Sequence, residues 1–471
     1  MRIKKDCNMK THLILRRLRY LYMFAILLSL FSLNSCKDDK VNDLIPEEVL
    51  LINKFIHDNM TFAYYWNEEM PNLDPDKQPD SKEYFDALLY KSIDKWSIIT
   101  DDLDGLLEYF SGIRKSVGYS YRLYKLSDTS NDLVAFIEYV NPNSPAAEKE
   151  LKRTDMFFEI DDTKLTTGNY QELLAKESFT LTLGNLNDDL TVTPLSPKIT
   201  LSAEELTVDP VFYHDIIEHA GRKIGYLVYN SFISDYDEKL EEVFSEFKSG
   251  GVEDLILDLR YNSGGSVNTA ILMASMIAPE TKVGSVLLNN TYNTGLTEYL
   301  KKQYPNDNSI FVDTLRSNPN NLNLNRYVAL TTFKTASASE MVIYTLMPYM
   351  EVIQIGEQTH GKYYGSITLY DEDKKHNWAI QPIVMRAENS DNSIDYSKGL
   401  IPAVELNERY KYQLGDPREK FLAEALFELT GEWPEGAAAL KSEKQSLFCP
   451  DFIDESSNQQ LKYNMYKEIQ K

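Results

Sequence analysis

Asp254-Leu-Ile-Leu-Asp258-Leu-Arg-Tyr-Asn-Ser-Gly264-Gly265 decides how the chain is read. An apolar run with acids at 254 and 258 ends in a glycine pair, the pattern of a strand buried on both faces that breaks into a tight turn. Outward from it, residues 224–230, 326–332 and 351–356 read as further strands. Residues 236–248, 266–277 and 338–346 read as helices between them, and 421–429 as one more. Strands alternating with helices predict an α/β domain built on a largely parallel sheet.

The Gly264–Gly265 turn can aim backbone N–H groups at a developing oxyanion. Thr335-Ala-Ser337-Ala338-Ser-Glu340 follows, and Gly361-Lys362 places a lysine 25 positions after Ser337. Serine is a weak nucleophile until a neighbouring base takes its proton, and lysine is such a base only when burial lowers its pKa. Ser337 opens a predicted helix, whose free N–H groups and positive dipole end favour a negative oxygen. Lys362 precedes Tyr363 and Tyr364, an apolar setting for an ammonium. Ser339 is the rival nucleophile, at a spacing of 23. His360 would suit a Ser-His-Asp triad but reads better as a pocket wall. A Ser-x-x-Lys arrangement fails, because Glu340 stands three residues after Ser337. His214 and His219, among Asp209, Asp215 and Glu218, read as surface histidines, so no metal and no cofactor is expected.

The chain has 49 basic and 72 acidic residues, a net charge of −23. Residues 1–35 carry seven of the bases and one acid, so the remainder stands at 42 against 71, or −29. Such a body repels nucleic acid; its charge serves solubility. Arg16-Arg17-Leu18-Arg19 precedes a mostly apolar run over 21–33 and then Asn34-Ser35-Cys36, the layout of a secretory signal. That run rises only about 20 Å as a helix, short of a roughly 30 Å hydrocarbon core, so cleavage is expected rather than a retained span. Cys36 and Cys449 then remain. With lipid on Cys36 no intrachain disulfide is available, and Cys449 reads as an incidental thiol.

Residues 36–45 read as a polar tether and 46–112 as a helical N-terminal segment. Its aromatics Phe62, Tyr64, Tyr65 and Trp66 read as a cap packed on the next domain. Residues 113–200 change to short strands, at 119–124, 133–140, 156–160 and 179–183, with Ser144-Pro145-Ala146-Ala147 opening a short helix. Residues 201–432 hold the α/β pattern. Residues 433–471 read as a polar, loosely ordered C-terminal tail.

Leu33-Asn34-Ser35-Cys36 resembles the lipobox of bacterial lipoproteins, which implies a lipidated Cys36. Lys37-Asp38-Asp39 resembles the tag that sends Bacteroidetes lipoproteins to the cell surface. The implied location is the outer membrane, surface-exposed or on its periplasmic face. Residues 113–200 resemble a PDZ domain of the protease-associated kind, although Arg153-Thr154-Asp155 lacks the usual glycine. In that resemblance Val117, Gly118, Tyr119 and Ser120 form the loop that holds a peptide's terminal carboxylate.

Residues 221–405 resemble the catalytic domain of the carboxy-terminal processing, or tail-specific, serine peptidases, and the wider likeness covers about 45–430. It rests on Gly225-Tyr226-Leu227 through Phe232, the 258–265 and 335–340 motifs, Ile355-Gly-Glu-x-Thr-x-Gly-Lys362 and Gly399-Leu-Ile-Pro402. The resemblance implies a crotonase/ClpP-like α/β core with a helical N-terminal segment and an inserted PDZ-like β domain. It implies Ser337 as nucleophile, Lys362 as general base, and N–H groups of Gly264, Gly265 and Ala338 as the oxyanion hole. The implied partners are polypeptides with exposed C-termini or unfolded segments. Ser366 stands where several members carry an orienting glutamine. Of the acids, only Glu340 stands close by on the helix after Ser337, Glu351 and Glu357 lie further on, and no third catalytic member is assigned. The rival reading, prompted by Ser366, is a peptide-binding lipoprotein that keeps the fold without turnover.

Overall fold

The quoted run forms the strand Asp254–Asp258, buried along its whole length. It is seen in a computed structural model that describes residues 45–391, 395–437 and 465–467. The leader, Cys36, the tether through residue 44 and Cys449 lie outside the described residues. The strand is third in a six-stranded sheet ordered Val211–His219, Arg222–Tyr229, Asp254–Asp258, Arg326–Thr331, Glu351–Gly356 and Val404–Glu405. Val211–His219 pairs antiparallel; every later pairing is parallel, as the strand–helix alternation predicts.

Successive side chains on a strand point to opposite faces, and this sheet has a separate core on each. Leu255, Leu257, Tyr327 and Ala329 join one core with helices Asp237–Gly250, Val267–Ile277 and Ala338–Leu346. Ile256, Val328, Leu330 and Ile355 join the other, under helix Lys420–Thr430. A fully buried Leu or Ile contributes roughly 1.5–3 kcal/mol. Charge at Ile256 would therefore break the sheet from within. Local signals set the helix ends: Ser266 Oγ accepts from Thr269 N at 3.3 Å, and Gly251 closes helix Asp237–Gly250 at φ 75°.

A second sheet, not legible in the sequence pattern, runs in the order Gly265–Ser266, Met465–Tyr466, Tyr364–Ser366, Ile383–Glu388, Val286–Tyr292 and Val312–Thr314. Its outermost pieces are two or three residues long, too short to show a period. The strand Met465–Tyr466 departs from the loosely ordered tail expected after residue 432. It is held by backbone pairing with distant segments rather than by its own composition.

Between residues 113 and 207 the chain builds a β unit. Its path runs through Tyr119–Lys125, Leu133–Val140, Met156–Ile160, Ser178–Leu186 and Val192–Pro194, with Ile199–Ser202 beside Ser178–Leu186. It has its own core of Leu133, Ala135, Ile137, Phe157 and Leu181. The chain enters along Ile113–Ser116 and leaves along Glu204–Thr207, which pair antiparallel as a two-stranded stalk. Arg153, in the Arg153-Thr154-Asp155 stretch that lacks the expected glycine, is wholly buried against the catalytic domain. Its guanidinium meets Glu408 at 2.9 Å and Glu419 at 3.3 Å and donates to the Glu138 carbonyl at 2.9 Å. Burial pushes the Glu408 carboxyl up, yet Arg153 and Arg260 pull it down to about 2. The N-terminal helices Glu47–Ala63 and Ser81–Leu88 and the turn after the first of them bury Ile56, Met60, Tyr64, Trp66, Tyr84 and Phe85 against Tyr364, Ile380 and Ile383. The aromatic cap thus packs on the strand that follows the lysine.

Candidate active site

Ser337 ends the loop after strand Arg326–Thr331 and precedes helix Ala338–Leu346. Its backbone sits at φ 64°, ψ −118°, a conformation that costs a non-glycine residue about 1–3 kcal/mol and persists only where the surroundings enforce it. They do so with several bonds. Thr335 Oγ1 donates to the Leu259 carbonyl at 2.8 Å. Ala336 N and Ser339 Oγ donate to the Asn262 carbonyl at 3.2 and 2.9 Å. Asn262 in turn ties the glycine turn, taking Gly264 N on Oδ1 at 2.9 Å and giving Nδ2 to the Tyr229 carbonyl at 2.9 Å. Gly264 and Gly265 stand at φ 108° and 137°, and a Cβ on Gly265 would meet the Phe232 carbonyl oxygen at 2.1 Å. Only glycine fits there. Ala338 N–H, at the first helical position, has no partner within its helix.

Lys362 follows Gly361, whose φ of 93° and close approach to Gly399 and Ser397 exclude a side chain. The lysine is entirely buried. Burial lowers its ammonium from 10.5 to about 7, against the opposing pull of Asp94 and Glu340. Its Nζ lies 5.8 Å from the centroid of the Trp96 ring. Asp94 is itself satisfied by Tyr64 OH, Trp96 N, Ser97 N and Ser97 Oγ, at 2.6–3.0 Å. The N-terminal segment therefore supplies both the wall and the counter-charge of the lysine's chamber.

Glu340 joins the two halves. Its Oε2 accepts from Ser337 N at 2.8 Å and from Lys362 N at 2.9 Å. Its Oε1 accepts from Gly361 N at 2.6 Å and from Thr359 Oγ1 at 2.5 Å. Because one oxygen receives both backbone N–H groups, the nitrogens of Ser337 and Lys362 lie within about 6 Å of each other. Burial raises this carboxyl to about 7, while its four donors favour the charged form. Ser337 Oγ is buried and accepts and donates no hydrogen bond among the described residues, so no bond to the lysine amine is formed here. Catalytic hydrogen bonds often tighten only once substrate is bound.

His360 is held by Trp96 Nε1 at 3.5 Å, and burial lowers its pKa to about 4, with Lys362 adding to the fall, which keeps it neutral near pH 7. Ser339 turns to the Asn262 carbonyl instead. Ser366 Oγ donates to the Met465 carbonyl at 2.9 Å. In the β unit, Gly118 adopts φ 92°, its N–H donates to Ser116 Oγ at 3.0 Å and its carbonyl accepts from Asn141 N at 2.7 Å. Val117 accepts from Ala146 N at 2.9 Å, and Tyr119 and Ser120 pair with Val140 and Tyr139. Asp94 and Trp96 carry no local signal, since each acts across a fold that brings distant segments together, while Asn262 and Thr359 are letters of the glycine-turn and lysine motifs whose tasks only the fold reveals. Glu340 stood in plain view in the serine motif without an assignable task.

Residues 223–391 match Peptidase family S41, and residues 51–98 match the Peptidase S41 N-terminal domain. A carboxyl-terminal-processing protease of Picosynechococcus sp. (strain ATCC 27264 / PCC 7002 / PR-6) is 25% identical over 228 residues, covering 47% of this chain and 49% of that protein. A second, from Synechocystis sp. (strain ATCC 27184 / PCC 6803 / Kazusa), is 24% identical over 225 residues, covering 46% and 47%. The chain spans about half the length of these curated relatives. A crystal structure of an S41 protease from Bacteroides fragilis NCTC 9343 is 30% identical with a TM-score of 0.66, covering 80% of this chain and 97% of that one. With that structure matched almost end to end and both family regions found in order, the chain belongs to peptidase family S41.

Proposed function

We propose that this chain is a lipid-anchored serine endopeptidase that cleaves polypeptides in the bacterial envelope, with Ser337 as nucleophile and Lys362 as general base. One observation carries the reading: a strained, buried serine and a buried lysine near pKa 7 are fastened by one carboxylate. Ser337 Oγ attacks the scissile carbonyl as its proton passes to neutral Lys362 Nζ. The oxyanion is met by N–H groups at Gly265 and Ala338, with Gly264 holding the turn. The resulting ammonium returns the proton to the leaving amine, and the neutral amine then activates water to hydrolyse the Ser337 ester. Ser366, on the strand after the lysine, supports the position of that strand.

The β unit is proposed to act as a PDZ-like selector of C-termini through Val117–Ser120. Its strand Tyr119–Lys125 touches the serine loop directly. Arg122 meets Glu357 at 2.8 Å and lies 4.6 Å from the Phe333 ring centroid, and Lys334 Nζ donates to the Tyr121 carbonyl at 2.9 Å. A cavity of about 320 Å³ between unit and catalytic domain is lined by Arg114, Tyr119, Ser120, Asn230, Ser263 and Lys334. Anchoring through Cys36 in the outer membrane, facing the surface or the periplasm, is proposed from the 33–39 motif.

The purified mature protein and its Ser337→Ala and Lys362→Ala variants, incubated with an unfolded protein, test the dyad. Cleavage by the parent alone is expected; equal cleavage by all three defeats the assignment. The second reading, a peptide-binding lipoprotein without turnover, is favoured by the unbonded Ser337 Oγ. Labelling of Ser337 by a serine-reactive phosphonate separates the two.

A further inference from the structure

Between the oxyanion turn and the strand after the lysine lies a slot two strand edges wide, and the chain fills it with its own residues. Met465 and Tyr466 run parallel to Gly265 and Ser266 on one side, and Tyr466 runs parallel to Ser366 on the other. Ser366 Oγ donates to the Met465 carbonyl at 2.9 Å, and Lys467 N donates to the Ser366 carbonyl at 3.1 Å. Met465 is wholly buried in the main core, Tyr466 packs its ring 4.5 Å from Phe110, and Lys467 Nζ pairs with Asp313 at 2.8 Å. The inserted strand thus pairs with Gly265, proposed to bind the oxyanion, and with the strand that begins two residues after Lys362.

An extended polypeptide recognises a protein by adding a strand to an exposed edge, with backbone bonds giving affinity and alternate side chains specificity. A serine peptidase must present such an edge beside its nucleophile. Here the edges that flank the Ser337–Lys362 chamber are already paired with Met465–Lys467.

We infer that the slot between Gly265–Ser266 and Tyr364–Ser366 is the substrate groove, that it accepts an extended peptide with an unbranched apolar side chain in the Met465 position, and that Met465–Lys467 is a built-in competitor for it. The inference rests on the peptidase reading above, of which it names the substrate class and the restraint. A ligand tethered to its site acts at about millimolar effective concentration, so an intrinsic affinity of about 0.1 mM lowers substrate access roughly tenfold.

Two full-length variants test this. Met465→Asp places a charge in the apolar position, and Lys467→Glu sets like charges against each other at Asp313 while leaving the buried residues intact. Both are expected to cleave a fluorescently labelled unfolded protein with kcat/KM raised several-fold, mainly through KM. An added peptide of residues 461–471 should inhibit the variants more strongly than the parent. The same peptide, labelled, should bind the Ser337→Ala/Met465→Asp chain by fluorescence anisotropy. Folded variants with unchanged or lower kcat/KM, or restored by the peptide rather than inhibited, would overturn the inference and make Met465–Lys467 a structural strand. Binding of the peptide with no turnover and no phosphonate labelling in any chain would refute the peptidase reading while the groove stands. Turnover in every chain that keeps Ser337, with no peptide binding, would do the reverse.

Discussion

Trp96→Ala is the sharpest probe of the lysine's protonation. The Trp96 ring lies 5.8 Å from Lys362 Nζ, and burial brings the amine from 10.5 to about 7. That fall is worth roughly 5 kcal/mol, at 1.36 kcal/mol per pKa unit. Removing an indole opens the chamber to water, while Asp94 keeps its bonds because Trp96 and Ser97 bind it through backbone N–H groups. If hydration returns about two of the lost units, the neutral fraction at pH 7 drops from about one half to about one hundredth. The variant should lose about 50-fold in kcat/KM at pH 7 and recover to within about 2-fold of the parent at pH 10. The assay is the pH profile of kcat/KM on a quenched peptide substrate for both proteins. The parent's acid limb is expected near 7, and the variant's near 9. A uniform loss at every pH would mean that the ring touches substrate rather than tuning the base. A parent limb at 9 or above would show that burial does not lower this lysine.

Lys362→Met should be inactive yet more stable. The folded pKa lies below the unfolded value, so the unfolded chain holds the extra proton between about pH 7 and 10.5, and the parent's stability rises with pH across that window. The variant's advantage should be about 4 kcal/mol at pH 7, about 2 kcal/mol at pH 9, and nil near pH 10.5 in thermal melts. Glu340→Gln keeps the size but turns an amide NH₂ toward two of the four donors; a loss of at least 10-fold in kcat and roughly 1–3 kcal/mol of stability should follow. Arg153→Ala removes one of the two guanidiniums that hold Glu408 and Glu419, leaving Arg260, and should lower stability by about 1–3 kcal/mol, whereas Arg153→Met together with Glu408→Gln should recover part of it in the same melts.

Four strands of the α/β core were legible because each is an apolar run long enough to show a period, whereas Val211–His219, with its polar histidines, and the two-residue Val404–Glu405 were not. Strand Glu351–Gly356 and helix Ala338–Leu346 agree with the pattern residue for residue. The two- and three-residue strands of the second sheet were not legible. Met465–Tyr466 sits in a polar stretch, and its burial comes from Gly265 and Ser366, which lie far away in sequence. At the site, the serine and lysine motifs point to their residues through spacing and glycine placement. Asp94 and Trp96 do not, because the chamber they build exists only once the N-terminal helices pack beside Tyr364. The missing glycine of Arg153-Thr154-Asp155 was visible as a departure from a consensus, but the burial of Arg153 against Glu408 and Glu419 could be found only in three dimensions.

Glu340 also limits how the enzyme can adjust itself. Drawing the serine segment away from the lysine segment would strip a buried carboxylate of its bonds from Thr359, Gly361 and Lys362 at once. The two backbones are therefore obliged to travel as one body. Any change in the gap between amine and alcohol must come from rotation about the side-chain torsions of the lysine and of the serine, whose Oγ no bond among the described residues pins. Engineering efforts that aim to alter turnover should accordingly vary the walls along which those side chains swing.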